Sequence, residues 1–600
     1  MNHDSIDAGR GPEPGRDEHR PAAMPAAAGR EPEGRRDARP PAPAEGGAHR
    51  SATAARIEAA YRRIAEADRP EVWITLRDED SVLAEALGAQ TRLAAGEDLP
   101  LAGMLYAVKD NIDVRGLPTT AARPSFAYTA ERDATAVARL RAAGAVCLGK
   151  TNLDQFATGL VGTRSPYGPV RAAADPDLIA GGSSSGSAVA VALGIADFAL
   201  GTDTAGSGRV PAALNGIVGV KASLGLVPAD GVVPASPSYD CVTVFAPDLA
   251  TATTAIRVMS GPSPTDPAGR DWPADTVLAA PPRPRIAVPT DANLTALDPE
   301  FRPLWKEALA AFDAERTPID VQPLLDAALL LYEGALLAER YAAFGRHLRA
   351  DDADPTVAEI VERSGKFTAA DFVADQQRLR AACRDAEALL DGFDALILPT
   401  APLHPTIAAV QADPIGVNAA MGTYTNFVNL LDMAAVAIPA GRAGTKGFGV
   451  SVIAPAFRDQ VAVDLAARAQ GVPAPLFAPN GAGLVVFGAH LTGMPLNHQL
   501  TDLGARFAGE VRTAPAYRMY ELDTEPPKPL VVRTENGASL PGERWLLSPA
   551  ALGRFLDALP APMTLGKVEL DDGTWTTGFV ANRPAGEDIT AAGGWRARTA

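Results

Sequence analysis

Cysteine and histidine are scarce in this chain of 600 residues, which has three of the first (Cys147, Cys241 and Cys383) and seven of the second. The cysteines lie far apart with no Cys-x-x-Cys spacing. They outline neither a disulfide framework nor a zinc site, and they fit a reducing cytoplasm. No other ligand cluster is visible, so neither metal nor cofactor is expected. Positive charge is in deficit as well: 55 Lys and Arg face 72 Asp and Glu, a net charge of -17 at pH 7. That balance argues against nucleic acid and against an anionic membrane, since both draw on clustered basic side chains. Long apolar runs are missing too. The longest, Ser187 to Leu200, is broken by Asp197 and is too short to span a bilayer. The N-terminus has no apolar stretch of the secretory kind. These absences predict a soluble, cytoplasmic protein.

Residues 1–50 are Pro, Gly, Ala, Arg and Glu with almost no large apolar side chain. Such a segment cannot bury enough surface to offset its ordering entropy, and it reads as a disordered tail without chemistry. From Ala52 the pattern changes. Ala54–Ala67 forms an amphipathic helix with Ile57, Ala60, Tyr61 and Ile64 on one face. Strand Met104–Val108, helix Asp133–Ala143 with Gly144 as its cap, strand Ala145–Leu148, helix Ser187–Leu193 and strand Asp197–Thr202 follow. The alternation predicts an α/β domain over 51–470 with a central sheet. Residues 321–350 and 368–392 read as helical throughout, Ala395–Leu398 as a strand, and Asp464–Gln470 as the closing helix. A Pro/Gly-rich linker covers 471–483. Beyond it, β-like runs at Leu484–Phe487, Tyr517–Leu522, Leu530–Val532, Arg544–Leu547 and Lys567–Leu570 predict a smaller α+β domain over 484–600.

The chemistry centres on two small-residue runs, Gly181-Gly-Ser-Ser-Ser-Gly-Ser187 and Gly201-Thr-Asp-Thr-Ala-Gly-Ser-Gly-Arg209. Gly/Ser runs are usually flexible linkers. Here the first lies between buried elements and leads straight into an apolar helix, which is an odd place for a linker. In the second, a strand delivers Thr202 and Asp203 to a tight turn at Ala205 and Gly206. Backbone N–H groups converge there beside Ser207, as a developing oxyanion requires. A phosphate-cradling loop is the rival reading, but the Gly-Lys-Ser/Thr ending is absent. Histidine is a poor candidate for the base. His3, His19 and His49 lie in the tail, no histidine occurs between residues 50 and 346, and only His347 and His404 remain in the larger domain. Lysine is the other base known to pair with serine. Lys109 ends an apolar strand, where burial would lower its pKa as a general base needs.

Lys109, Gly181–Ser184 and Gly201–Arg209, in that order and at that spacing, resemble the amidase signature family over about residues 55–470. The resemblance implies a mixed sheet flanked by helices. It implies Ser207 as nucleophile, Ser183 as relay after a cis Gly182–Ser183 peptide, and Lys109 as base. The N–H groups of Thr204, Ala205, Gly206 and Ser207 would form the oxyanion hole, with Asp203 and Arg209 bracing the loop. Many members carry Gly where this chain has Ala205, a departure that leaves a backbone donor intact.

Three segments are similar to the allophanate-hydrolase branch of that family. Gly206–Asn215 is one. Leu331–Arg340 is the second, and it implies that Tyr332 and Arg340, on one face of a helix, contact an anionic substrate. Read without the resemblance, Arg340 is a solvated surface residue and Tyr332 is core. The third comprises Val485–Leu500, Tyr517–Leu522 and Leu540–Trp545, which look like that branch's C-terminal domain and, more distantly, like γ-glutamyl cyclotransferase-like domains. His490 is its candidate functional residue, with His498 and Glu543 behind it; a core histidine is the plainer reading of His490. The branch implies hydrolysis of allophanate to ammonia and carbon dioxide by way of N-carboxycarbamate, without metal or cofactor, in a homodimer. A separate urea carboxylase or biuret hydrolase would supply the substrate. The alternatives are a family amidase acting on another small amide, or an amidotransferase A-type subunit.

Overall fold

Strand Leu105–Lys109 is buried at every position, its terminal lysine included. A strand covered on both faces belongs inside a sheet with helices on each side. In the computed structural model, which describes residues 45–348, 351–560 and 563–599, it is the third strand of an eleven-stranded sheet. The order is Trp73–Leu76, Val146–Thr151, Leu105–Lys109, Phe198–Asp203, Cys241–Ala246, Val218–Lys221, Met433–Ala443, Lys446–Pro455, Ala395–Pro399, Arg285–Pro289 and Glu315–Ile319. The sheet is mixed. Leu105–Lys109 runs parallel to both its neighbours, while Phe198–Asp203 pairs antiparallel with Cys241–Ala246. The α/β class and the mixed sheet are as expected from the sequence.

The strands Val146–Thr151 and Phe198–Asp203 are fully buried, as their unbroken apolar runs require. Helix Ser185–Ala192 packs on the sheet through small residues, and its serines are tied to Phe198–Asp203. Ser184 Oγ donates to Thr202 O (3.0 Å) and Ser187 Oγ to Leu200 O (2.8 Å). Ser184–Ser187 thus sews the helix to the strand that carries the second motif. The first amphipathic helix runs from Glu45 to Ala67 with Ile57 and Ala60 buried. Residues 1–44, most of the segment read as a tail, lie outside the described residues.

One helix differs from expectation. Ala369–Leu389 is continuous, opened by a Thr368–Asp371 capping box. Residues 321–348 instead break into helix Gln322–Ala328, 3-10 turns Leu329–Leu331 and Ala335–Leu337, and helix Ala338–Phe344. The cause is Gly334, packed so tightly that an added Cβ would stand 2.8 Å from Asp375 Oδ2 and 2.9 Å from Leu330 O. Asp375 Oδ2 then takes the N–H of Ala335 at 2.7 Å and caps the restart. Apolar residues on every side of the break hide it from a periodicity reading.

After residue 481 a five-stranded sheet forms in the order Arg506–Arg512, Pro541–Leu547, Ala482–Val486, Trp575–Phe579, Leu565–Glu569. A three-stranded sheet, Lys528–Arg533, Tyr517–Leu522 and Glu587–Asp588, lies beside it. Arg506–Arg512, which is largely exposed, and Trp575–Phe579, in which only Gly578 and Phe579 are buried, escape a sequence reading because they carry little apolar alternation. Arg506 Nη1 reaches back to Asp464 on the closing helix of the larger domain at 3.0 Å, and Leu278 N donates to Gly504 O at 2.9 Å. Among the described residues no helix is long and apolar enough to cross a membrane.

Candidate active site

The parallel pairing of Leu105–Lys109 with Phe198–Asp203 brings Lys109 beside the start of the second motif. Lys109 Nζ lies 2.7 Å from Ser183 Oγ and 2.7 Å from Thr202 Oγ1. Ser183 Oγ lies 3.0 Å from Ser207 Oγ. A continuous chain of polar atoms therefore leads from Ser207 through Ser183 to Lys109, all three buried. Burial pulls the Lys109 ammonium down to about 7, although Asp154, Asp240 and Asp203 act in the opposite direction. Such a lysine is neutral for a substantial fraction of the time near neutral pH and can take a proton.

The peptide between Gly182 and Ser183 is cis. Gly182 is obligatory for a further reason, since a Cβ there would stand 2.2 Å from Asp154 Oδ2 and 2.6 Å from Gly162 N. Asp154 accepts from Gly162 N (3.0 Å) and Arg164 N (2.9 Å), and its own N–H donates to Ser183 O (3.1 Å). The carboxylate thus braces the segment that presents Ser183.

The loop after Asp203 is held by that residue's carboxylate. Asp203 accepts from Gly206 N (2.8 Å), Gly208 N (3.0 Å) and both Nε (2.9 Å) and Nη2 (2.9 Å) of Arg209. Burial alone would raise its pKa; Arg209, with Lys221 and the N–H of Gly208, outweighs it and keeps the carboxyl below the usual carboxylate range. Gly206 adopts φ +131°, and a Cβ there would stand 2.4 Å from Thr425 Oγ1. Among the four N–H groups expected to face an oxyanion, that of Gly206 is turned into Asp203. Among the described residues, those of Thr204, Ala205 and Ser207 have no acceptor.

Arg340 is 1% exposed, and among the described residues Nε, Nη1 and Nη2 all lack a hydrogen-bond partner. Its guanidinium lies 4.7 Å from the centroid of the Tyr332 ring. The two residues meet, but not along the single helical face read from their spacing; the chain turns at Gly334 between them. Tyr332 also borders a cleft of about 380 Å³ lined by Asn293, Asn418 and Asn426. Asn418 Oδ1 accepts from Leu160 N (2.8 Å), next to Gly159, whose carbonyl lies 3.5 Å from Ser207 Oγ. Asn418 thus ties the wall of the cleft to the segment whose carbonyl faces Ser207.

No histidine is bonded to Ser207. His404 spans Gly447 N and Ile179 O, and burial lowers its pKa to about 4. In the smaller domain His490 is buried, stacked on Phe579 and edge-on to Phe555, with Nε2 2.9 Å from Gln499 Oε1. Glu543 accepts from Thr492 N (2.8 Å) and Arg596 Nη2 (2.7 Å) in a separate cleft of about 540 Å³. His498 Nδ1 lies 2.9 Å from Pro495 O, and the residue is exposed. Thr202, delivered by its strand, and Asp240 complete the larger site, and of the two only Asp240 does not stand out in the sequence.

A model of the amidase family matches residues 55–463. The chain is a member of the amidase family. Within it, residues 482–600 match the allophanate hydrolase C-terminal domain. This amidase superposes on the Kluyveromyces lactis allophanate hydrolase with a TM-score of 0.81 at 36% identity, covering 92% of this chain and 98% of that one. It is 40% identical over 567 residues to the urea amidolyase of Saccharomyces cerevisiae, covering 88% of this chain but only 31% of that protein. The chain thus spans about a third of the urea amidolyase it matches. The A-type subunit of the Thermus thermophilus glutamyl-tRNA(Gln) amidotransferase is 33% identical over 439 residues, 67% of this chain and 90% of that one.

Proposed function

We propose that this amidase hydrolyses allophanate through Ser207, Ser183 and Lys109. The observation that carries the substrate is Arg340, a buried guanidinium with no hydrogen-bond partner among the described residues, stacked on Tyr332 and near enough for its charge to act on Asp240, which holds Thr204. A guanidinium in that state calls for a planar anion that can accept two parallel hydrogen bonds. Allophanate presents a carboxylate for Arg340 and a terminal amide for Ser207. Neutral Lys109 takes the proton of Ser183, which takes that of Ser207, as the serine attacks the amide carbonyl. The oxyanion faces the free N–H groups of Thr204, Ala205 and Ser207, while Gly206, its own N–H held by Asp203, shapes the loop. Returning the proton through Ser183 expels ammonia. Water, activated by the same relay, then cleaves the acyl-enzyme to N-carboxycarbamate. That dianion takes up a proton on its nitrogen as it loses carbon dioxide to give carbamate, and carbamate takes up a second proton as it falls apart to ammonia and carbon dioxide.

The unit 484–600, joined to 51–470 through 471–483, is assigned the decarboxylation, with His490 as its candidate group. Support comes from the domain's likeness to that of allophanate hydrolases. The amidotransferase reading is disfavoured because its relatives match only 67% of this chain. In this reading the protein is a cytoplasmic homodimer, and a separate urea carboxylase or biuret hydrolase feeds it.

The test is ammonia release from allophanate by wild type and Ser207→Ala, with malonamide as a neutral comparison. Turnover of allophanate that disappears in Ser207→Ala supports the proposal. Turnover of malonamide alone discards the substrate and the part given to Arg340.

A further inference from the structure

The loop 204–207 has only two side chains able to hydrogen bond, those of Thr204 and Ser207. Ser207 must stay free to react, so Thr204 is the one side-chain handle by which the start of the loop can be fixed. Its Oγ1 donates to Asp240 Oδ1. Asp240 also accepts from Ala235 N (2.8 Å) and twice from Ser236 N (3.2 and 3.1 Å).

The segment around Asp240 touches every other part of the site. Val233 N donates to Asn111 O at 2.7 Å, two residues past Lys109, and Asn111 Nδ2 returns a bond to Val233 O at 3.0 Å. Asn429 Nδ2 joins Tyr239 O (2.9 Å) to Asp203 O (2.7 Å). Glu339, next to Arg340, accepts from Ser236 Oγ (2.8 Å) and Ser238 N (3.1 Å). The end of the reactive loop is gripped by Asp203, whose charge Arg209 neutralises. Its start is gripped by Asp240, which among the described residues has no cation within ion-pair distance.

We propose that Asp240 is a positioning residue: it fixes Thr204, and with it the first oxyanion donor, and its charge, which no ion pair among the described residues neutralises, acts on both Lys109 and Arg340. The charged and titratable groups around it are Lys109, Asp203 with Arg209, Cys241, and Glu339 and Arg340 of helix Ala338–Phe344. Burial raises the Asp240 carboxyl to about 6, so it is ionised in the range where Lys109 works, and its charge holds the lysine's proton more tightly. Removing that charge makes Lys109 easier to deprotonate. The inference rests on the proposed function for its mechanism, but not on the identity of the substrate.

Two rates are measured against pH for wild type, Asp240→Asn and Thr204→Val: kcat/KM for allophanate, and modification of Ser207 by a fluorophosphonate. For Asp240→Asn, both acid limbs should move to lower pH by about half a unit or more, as loss of a nearby charge requires. Its kcat should fall about tenfold from the loosened loop. Thr204→Val should show the fall in kcat with the limb unmoved. An Asp240→Asn limb that coincides with wild type overturns the proposal, and so does full kcat in Thr204→Val, which also decides the matter if Asp240→Asn does not fold. Modification of wild type without allophanate turnover removes the substrate assignment, and the modification rates of the variants still judge Asp240.

Discussion

Arg340 stacks its guanidinium 4.7 Å from the centroid of the Tyr332 ring while none of its three nitrogens has a hydrogen-bond partner among the described residues. A buried cation left in that state costs stability unless something anionic completes it. The π face of Tyr332 recovers part of the cost and sets the plane of the guanidinium. The fork is then oriented for a carboxylate before any substrate arrives.

Replacing Arg340 should therefore separate stability from function. Arg340→Met keeps the volume and removes the charge. Thermal unfolding should occur at the same or a higher Tm, while kcat/KM for allophanate falls at least about 100-fold, mainly through KM. A Tm several degrees lower would mean that Arg340 has a structural partner after all.

Lys109 gives the opposite kind of test, one of pH. Its folded-state pKa of about 7 lies below the ordinary 10.5, so burial of the lysine costs stability. The cost is full below the folded value and fades as pH rises towards the unfolded one. Lys109→Met should be inactive and more stable than wild type at neutral pH, with the difference shrinking steadily in alkali. Parallel melting curves across pH would show it; a constant difference would contradict a depressed pKa.

The Asp203–Arg209 pair is fully buried, with Nη2 and Oδ1 2.9 Å apart. Arg209→Met strands the carboxylate that holds Gly206 and Gly208. Denaturant titration should show a loss of about 3–5 kcal/mol, the usual result of breaking a buried pair from one side. Asp203 has a lowered pKa, so this part of the stability is present at neutral pH and is lost as pH falls through the folded-state value. The deficit of Arg209→Met should narrow in acid.

Gly206→Ala should abolish most activity. The new Cβ would meet Thr425 Oγ1 at 2.4 Å, and φ at +131° suits no other residue. Adding Thr425→Ala relieves the clash but not the backbone demand, so kcat should recover only in part. Full recovery would show that space alone selected the glycine.

The reactive core was legible because each of its residues carries a signal in one dimension. A lysine closing an apolar strand, serines between glycines at the start of a helix, and a strand ending in Thr-Asp are all local patterns, and the sheet brings them together. Tyr332 and Arg340 were legible as a pair, but through a regular helix that does not exist; the break depends on Gly334 meeting Asp375 from a helix some forty positions on. Asp240 was invisible, because its importance lies in Thr204, which it meets only in the folded chain. Strands Arg506–Arg512 and Trp575–Phe579 of the smaller domain escaped because neither carries an alternating apolar pattern.

The broken segment Gln322–Phe344 has a consequence for how this amidase could change. Lys109, Ser183 and Ser207 are sewn into neighbouring strands and a buried helix, where any shift is felt by the whole sheet. Tyr332 closes a short turn and Arg340 lies on a helix of seven residues, pieces held by single side chains such as Asp375 and Glu339. Insertions or exchanges there leave the strands untouched. The chain is a fixed tool with an interchangeable jaw, and a new substrate requires only that the jaw be recut.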